Sequence, residues 1–433
     1  MRWPRFLFIA ITVLSLAHSA AARGGPHVNV VEVEGPITPI TLSYIRRGIE
    51  VAENDGAVCL IVQLDTPGGL LTVTRDIVQE IRVSRVPVVV YVAPRGAAAA
   101  SAGTLIALAG HAAAMAPDTS IGALSPVGPQ GEELPETVGK KEREMLKASA
   151  RALARRRGEA AVEWVAEAID EAKAATAQEA LEVGLIDFLA RDLDDLLTKL
   201  DGFQVEVGGE RVTLRTAGAR IERLPMTPLE RFLHVISDPS IALILMTIGI
   251  NALIFELASP GGYVLGVVGA ICLGLALYAL GVLSVNYTGL LFIALAFVLF
   301  FLETQSPTQG IFTAAGVASF IFGAILLFSS PFYAVPRGLI VATALATGAF
   351  LAFVVAKAAG AQRRRVATGR EGLMGETGVV REALDPEGVV FVHGELWRAV
   401  AEDGPVGVGE RVRVTGREGL CLRVRKIAGG TRH

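Results

Sequence analysis

Five apolar runs in the second half of the chain restrict its fold more than any other feature: Ile241–Glu256, Val264–Leu283, Leu290–Leu302, Ile311–Phe328 and Leu339–Val355. A membrane-spanning helix needs about 20 apolar residues, range roughly 17–25. The third run is short by that measure, so the sequence allows four or five spans. Breaks bearing glycine and proline, such as Ser259-Pro260-Gly261-Gly262, separate most of the runs. Hydrophobic residues make up 52% of the 433 positions and charged residues 19%, too apolar a balance for an ordinary soluble enzyme.

Charge at the ends of the runs suggests an orientation. Lys357 and Arg363-Arg364-Arg365 follow the last run, which places the C-terminus in the cytoplasm by the positive-inside rule. Arg220, Arg223 and Arg231, ahead of the first run, pull the other way. At the N-terminus, Arg2 and Arg5 precede an apolar stretch from Phe6 to Leu16 and the small residues Ala20-Ala21-Ala22. That pattern reads as a signal peptide over residues 1–22, with an uncleaved anchor as the alternative. Either way the next domain is exported, and an odd number of spans, five, reconciles the two ends.

From Val28 to about Leu200, apolar strands alternate with helical spacing. Ala57–Leu64 and Val86–Val92 are continuous apolar strands, while Ile40–Ala52 and Leu70–Ile81 have helical periodicity. Such alternation predicts a parallel sheet covered on both faces. Thr176 and Glu179 form a capping box for a short helix that Gly184 ends. Residues 201–239 read as a linker. The last segment, 372–433, alternates short β-rich runs with Gly-rich turns, as in a small barrel. The expected fold is thus multidomain: an α/β domain over 23–200, a polytopic helical membrane domain over 240–358, and a small all-β barrel.

Several chemistries find no support. The net charge of -3 comes without a basic, aromatic-interleaved stripe, which argues against a nucleic-acid partner. Cys59, Cys272 and Cys421 lie far apart, and the six histidines include no metal-binding helix motif. No cofactor or metal is expected.

Two segments could carry chemistry. In Asp65-Thr66-Pro67-Gly68-Gly69 a buried strand ends in a double glycine, where backbone N–H groups can approach a ligand. In Gly96–Thr104 small residues surround Ser101 at the start of a helical run. A serine there is either an N-cap or a nucleophile in the positive field of the helix. A nucleophile needs a base. His111 sits ten residues on, about 15 Å along a helix, and His27 and His234 lie at the domain margins. Lysine can serve where desolvation lowers its pKa from about 10.4 toward 7–8. Lys140 shares a helical face with Glu144, Lys147 and Arg151; Lys141 shares one with Met145, Ala148 and Ala152. The spacing therefore points Lys141 toward the core, unless its stem is buried and its amine reaches solvent. Glu256 and Glu303, near the ends of runs, read as interfacial groups.

Together these residues resemble the long-form NfeD family, membrane-bound relatives of the ClpP-class proteases. The resemblance rests on LDTPGG (64–69), AAASAGTLIALAGHAAAMAP (98–117), TSIGALSPVG (119–128), FELASPGG (255–262) and VHGELWRAV (392–400). It implies a ClpP/crotonase-like α/β domain, a membrane domain and an OB-fold barrel. It implies a serine endopeptidase with Ser101 as nucleophile and Lys141 as general base. Gly69 and Ala102 would supply the oxyanion-hole N–H groups, with Gly68 beside them in substrate binding. Apolar peptide segments would be cleaved, and a stomatin-like SPFH membrane protein would be substrate or partner. A homo-oligomer, at least a dimer, in contact with membrane lipid is expected, in a bacterial inner membrane with the protease on the periplasmic side. Two other readings remain: a catalytically inactive scaffold organising SPFH microdomains through its barrel, and a crotonase-like acyl-CoA enzyme, which export disfavours.

Overall fold

A computed structural model describes residues 25–124, 136–258, 263–283, 285–305, 308–329, 335–362 and 373–427. The signal segment 1–22, the Arg363–Arg365 cluster and part of the 119–128 motif lie outside these residues. The chain divides into two compact units, Met1–Leu351 and Ala352–His433.

In the first unit the elements run β1 (His27–Glu34), α1 (Pro39–Asp55), β2 (Leu60–Asp65), α2 (Leu71–Val83), β3 (Val88–Val92), β4 (Ala98–Ala100), α3 (Ala102–Ala109), β5 (Ala112–Met115) and β6 (Ser120–Gly122). There follow α4 (Glu136–Ala154), α5 (Glu159–Asp170), β7 (Ala174–Thr176), α6 (Ala177–Glu182), β8 (Phe188–Leu189), α7 (Leu193–Leu200), β9 (Gln204–Val207), β10 (Glu210–Thr213) and β11 (Arg220–Arg223). The main sheet has the order β11-β1-β2-β3-β5-β8, with every pairing parallel. Its central strands are buried on both faces, and β3 is buried throughout, which accounts for their unbroken apolar sequence. A small second sheet, β4-β6-β7, stands beside it.

The predicted capping box is present: the Thr176 side chain accepts from the Glu179 N–H, and Gly184 has φ 77°. The expected linker is a correction. Residues 204–213 form a hairpin of β9 and β10, and β11 joins the main sheet beside β1. Val205, Val207 and Leu214 enter the apolar cluster beneath α7. The short runs and paired glycines that resemble a linker are the alternation and turns of small strands.

Beyond β11, α8 (Pro228–Ile236) leads into five apolar helices, α9 (Pro239–Ala258), α10 (Val264–Val282), α11 (Tyr287–Gln305), α12 (Ile311–Leu327) and α13 (Arg337–Gln362). Three of them, α9, α10 and α13, are long and apolar enough to cross a membrane; apolar stretches of α11 and α12 are shorter. The helices pair as two hairpins with a shared plan. Glu256 accepts from the N–H groups of Tyr263 and Gly266, and Glu303 from those of Gly310 and Thr313, at the same spacings of seven and ten residues. Glu303 also accepts from Thr308 and Phe312 and is only 4% exposed. These carboxylates satisfy helix-start N–H groups that lipid cannot; in Glu303, burial replaces the interfacial solvation expected from sequence. Close backbone contact holds each hairpin: an added Cβ at Gly249 would lie 3.0 Å from the Gly269 carbonyl, and one at Gly323 2.9 Å from the Gly289 carbonyl.

The second unit contains a closed five-stranded barrel, β12 (Thr377–Glu382), β13 (Glu387–Val392), β14 (Glu395–Ala401), β15 (Arg411–Glu418) and β16 (Cys421–Lys426), in the order β12-β13-β14-β16-β15. Alternate residues such as Val412, Val414, Leu422 and Val424 fill its interior. The α/β domain, helical membrane region and all-β barrel follow in the order the sequence predicts.

Candidate active site

Ser101 stands between β4 and α3 with φ 50° and ψ −106°, and its side chain makes no capping bond. A non-glycine residue in the positive-φ region costs on the order of 1–3 kcal/mol, held only where its surroundings fix it. Ser101 thus occupies the N-cap position without capping through its side chain, on a sharp strand-to-helix turn. The residues of α3 behind it are all buried, so the helix's positive end acts where solvent screens it least.

Four hydrogen bonds hold the turn. The Ser101 N–H donates to the Gly122 carbonyl at 2.9 Å. The Thr104 hydroxyl donates to the Ala99 carbonyl at 2.7 Å and accepts from the Gly122 N–H at 3.0 Å. The Ala98 N–H donates to Asp65 Oδ1 at 3.0 Å. Thr66 then fastens the double-glycine loop to the same strand: its N–H donates to the Ala98 carbonyl at 2.7 Å and its carbonyl accepts from Ala100 at 3.1 Å. An added Cβ at Gly103 would lie 2.6 Å from Thr66 Cγ2, so the small residues around Ser101 admit the loop as well as a ligand. Thr66 and Thr104, each fully buried, were missed in the sequence. Two threonines among otherwise apolar core residues were the signal.

The loop brings Gly69 to the serine's side of the fold. Gly69 has φ 158°, and an added Cβ would lie 2.5 Å from the Ile37 nitrogen. The bonds from Ile37 N–H to Gly68 (2.8 Å) and from Leu70 N–H to Ile37 (3.1 Å) clamp it from both sides. The N–H groups of Gly69 and Ala102 have no partner among the described residues. Gly68, beside Gly69, makes its hydrogen bonds within the loop and to Ile37. Its N–H donates to Thr66 Oγ1, and its carbonyl accepts from Ile37 and Thr66, so its polar groups are spent on shaping the loop.

His111 lies past the far end of α3 and accepts the Val88 N–H through Nδ1 at 3.0 Å. Burial, helped by the nearby Arg156 charge, pushes its pKa down to about 4. It closes the helix and is no base for Ser101. Arg156 reaches the carbonyls of Leu108, Ala109 and Gly110 at 3.1–3.3 Å, so a cation caps the negative end of α3.

For the lysines the structure overturns the face argument. Helix α4 buries Leu146, Ala150, Leu153 and Ala154, whereas Lys140, Lys141, Ala148 and Ala152 are exposed, and Met145 is 50% exposed. The buried stripe is turned from the one chosen, because the two leucines outweigh a methionine and two alanines in burying area. Among the described residues no hydrogen bond joins Lys141 to Ser101. Lys147 pairs with Asp170 at 2.7 Å and Glu144 at 3.1 Å, and those bonds, Asp170's first, raise its pKa. A cleft of about 260 Å³ opens between α2, α3 and α4, lined by Leu71, Val78, Leu105, Leu146 and Leu153 among others. Leu105 lies in the first turn of α3, four residues after Ser101.

The family model of the NfeD1b N-terminal domain matches residues 27–208, that of the NfeD integral membrane domain residues 240–357, and that of the NfeD-like C-terminal, partner-binding domain residues 370–426. The chain is 38% identical to the membrane-bound protease PH1510 of Pyrococcus horikoshii over 97% of both lengths. It is 28% identical to the membrane protein NfeD1b of Bacillus subtilis, over 92% of this chain and 93% of that one. Among solved structures, the 1510-N membrane protease specific for a stomatin homolog from Pyrococcus horikoshii is 36% identical, covers 50% of this chain and 100% of its own, and superposes with a TM-score of 0.44. With all three regions matched and a relative aligned over nearly its whole length, the chain belongs to the NfeD family in its long form.

Proposed function

We propose that this chain is a membrane-anchored serine endopeptidase that cleaves apolar segments with a Ser101–Lys141 pair. The observation that carries the reading is the strained Ser101 turn at the head of a buried helix, beside the unpartnered N–H groups of Gly69 and Ala102. In the proposed reaction, Ser101 Oγ attacks the scissile carbonyl as Lys141 Nζ takes the hydroxyl proton. The two N–H groups receive the oxyanion. The lysine then gives the proton to the departing amine, and water releases the acyl group from the serine by the same route.

The cleft beside Leu105 supports a preference for apolar side chains, since six of its ten lining residues are aliphatic, with Thr74, Arg75, Arg82 and Ser149 the others. Lys141 completes the pair when the exposed first half of α4 is covered, by substrate or by a second copy; Val138, 47% exposed, and Met145 offer the apolar surface for that. The Pyrococcus relative is described as specific for a stomatin homolog, and a stomatin-like SPFH protein is the substrate proposed for this chain. The α/β domain and the barrel would lie on opposite sides of the membrane; reporter fusions near Gly208 and Gly404 that report the same side would refute that arrangement.

The reading is tested by peptide cleavage with the full-length chain in detergent. Ser101→Ala should lower the rate by about four powers of ten or more while leaving the fold intact. A variant within tenfold of wild type would remove Ser101 as the nucleophile, whereas no cleavage by wild type would support an inactive scaffold.

A further inference from the structure

At the end of the main sheet away from Ser101, three segments bring His27, Asn29, Asp55 and Glu222 together. His27 and Asn29 open β1, Asp55 closes α1, and Glu222 lies in β11, where the parallel register sets it opposite Asn29. His27 Nε2 and a carboxylate oxygen from each of Asp55 and Glu222 lie within 4.8 Å of one another. The other end of β1 pairs Glu34 with Asp65, the residue that opens the double-glycine loop. The cluster and the proposed catalytic elements therefore occupy opposite ends of the sheet.

Two polar side chains here are deeply buried. His27 is 5% exposed, and its Nε2 faces Asp55 Oδ1 at 3.2 Å as an ion pair. Asn29 is 0% exposed; its amide nitrogen donates to Asp55 Oδ2 at 2.9 Å, which leaves its Oδ1 unpaired. Buried polar groups are normally satisfied, and the unpaired Asn29 oxygen lies beside an imidazole and two carboxylates, a donor set suited to a cation. The spacing agrees. Ligands bound to zinc at about 2.0–2.1 Å in tetrahedral geometry stand roughly 3.3 Å apart, close to the Nε2–Oδ1 separation. The other groups at hand are the Ala57 N–H, which donates to Asp55 Oδ1 at 3.2 Å, and the Arg220 guanidinium, 3.1 Å from Glu222 Oε1. Arg220 is 56% exposed and can turn into solvent.

We propose that His27, Asp55 and Glu222 hold a divalent transition-metal ion of the zinc class, with the Asn29 amide beside it. An imidazole and two carboxylates are a donor set for such an ion. Its role is structural. It pins the first strand and the end of α1 to β11, the edge strand from which the chain continues into α8 and the membrane helices. Ligands at positions 27, 55 and 222 leave no motif in the sequence, since only the sheet register joins them.

The test uses the full-length chain in detergent, stripped with a chelator and dialysed against buffered Zn²⁺. Wild type should retain a single equivalent, and its thermal midpoint should rise with zinc, because a ligand of the native state stabilises it by mass action. His27→Gln and Glu222→Gln should each weaken zinc retention by about tenfold or more and abolish the rise in midpoint. Peptide cleavage should be unchanged in both. Glu222 is half-buried on an edge strand, so its variant keeps the test meaningful if His27→Gln fails to fold. Saturable zinc uptake equal in wild type and Glu222→Gln, or no saturable uptake by wild type, would overturn the proposal.

Discussion

The Thr66 N–H donates to the Ala98 carbonyl at 2.7 Å, and that bond joins the double-glycine loop to the strand that ends at Ser101. A nucleophile and oxyanion donors from different segments are useful only if held in one frame. The Thr66 hydroxyl extends the frame, since it also receives the Gly68 N–H at 3.1 Å.

Gly69 is the most sensitive position of this frame. A Cβ there would meet the backbone of Ile37, which cannot retreat without breaking its bonds to Gly68 and Leu70. Gly69→Ala should cost about 1–3 kcal/mol of stability from overpacking. It should also lower the cleavage rate, by up to the roughly 10²–10³ typical of losing one oxyanion donor, because the clash displaces the retained N–H. Thermal melts and peptide kinetics on one preparation separate the two effects. Wild-type kinetics in this variant would remove Gly69 from the site.

The two lysines are distinguished by substitution, as both are exposed in the isolated chain. Lys141→Ala should abolish cleavage, while Lys140→Ala should keep most of it. Lys141→Arg should also fail, because a guanidinium stays protonated at any working pH. If Lys140→Ala is the inactive variant, the base is Lys140; if both variants cleave, a serine–lysine mechanism is wrong.

His111 makes a prediction about acid stability. Its folded pKa, about 4, lies below the ordinary 6.5 because burial disfavours the imidazolium. The unfolded chain therefore binds the proton more readily between those values, and stability falls as pH drops from 6.5 toward 4. Above 6.5 the group is neutral in both states and contributes no slope. His111→Gln should flatten thermal midpoint against pH across that window and leave cleavage at neutral pH largely intact. An unchanged slope would show that other groups govern the acid limb.

The legible parts of this chain are those in which one physical signal dominates. Unbroken apolar strands marked the buried sheet, the Thr176–Glu179 pair marked a helix start, and ten residues of separation removed His111 as a base. Helix α4 defeated the same reasoning. Its stripes Lys141-Met145-Ala148 and Leu146-Ala150-Leu153 are both apolar enough to be buried, so periodicity alone left the phase undetermined and tertiary packing chose the leucines. The 201–231 segment failed for a different cause: its strands are four residues long, too short for alternation to stand out. Glu303 was misread because its partners, Thr308, Gly310, Phe312 and Thr313, lie just before and within the first turn of the next helix.

On the proposed mechanism, Ser101 is a nucleophile activated by its position at the head of α3. The most direct measurement is intact-protein and peptide mass spectrometry of the full-length chain after reaction with a fluorophosphonate serine probe. A single adduct on Ser101, lost in Ser101→Ala and reduced in Lys141→Ala, is the expected result. An unmodified Ser101 under conditions in which the chain cleaves apolar peptides would contradict the account.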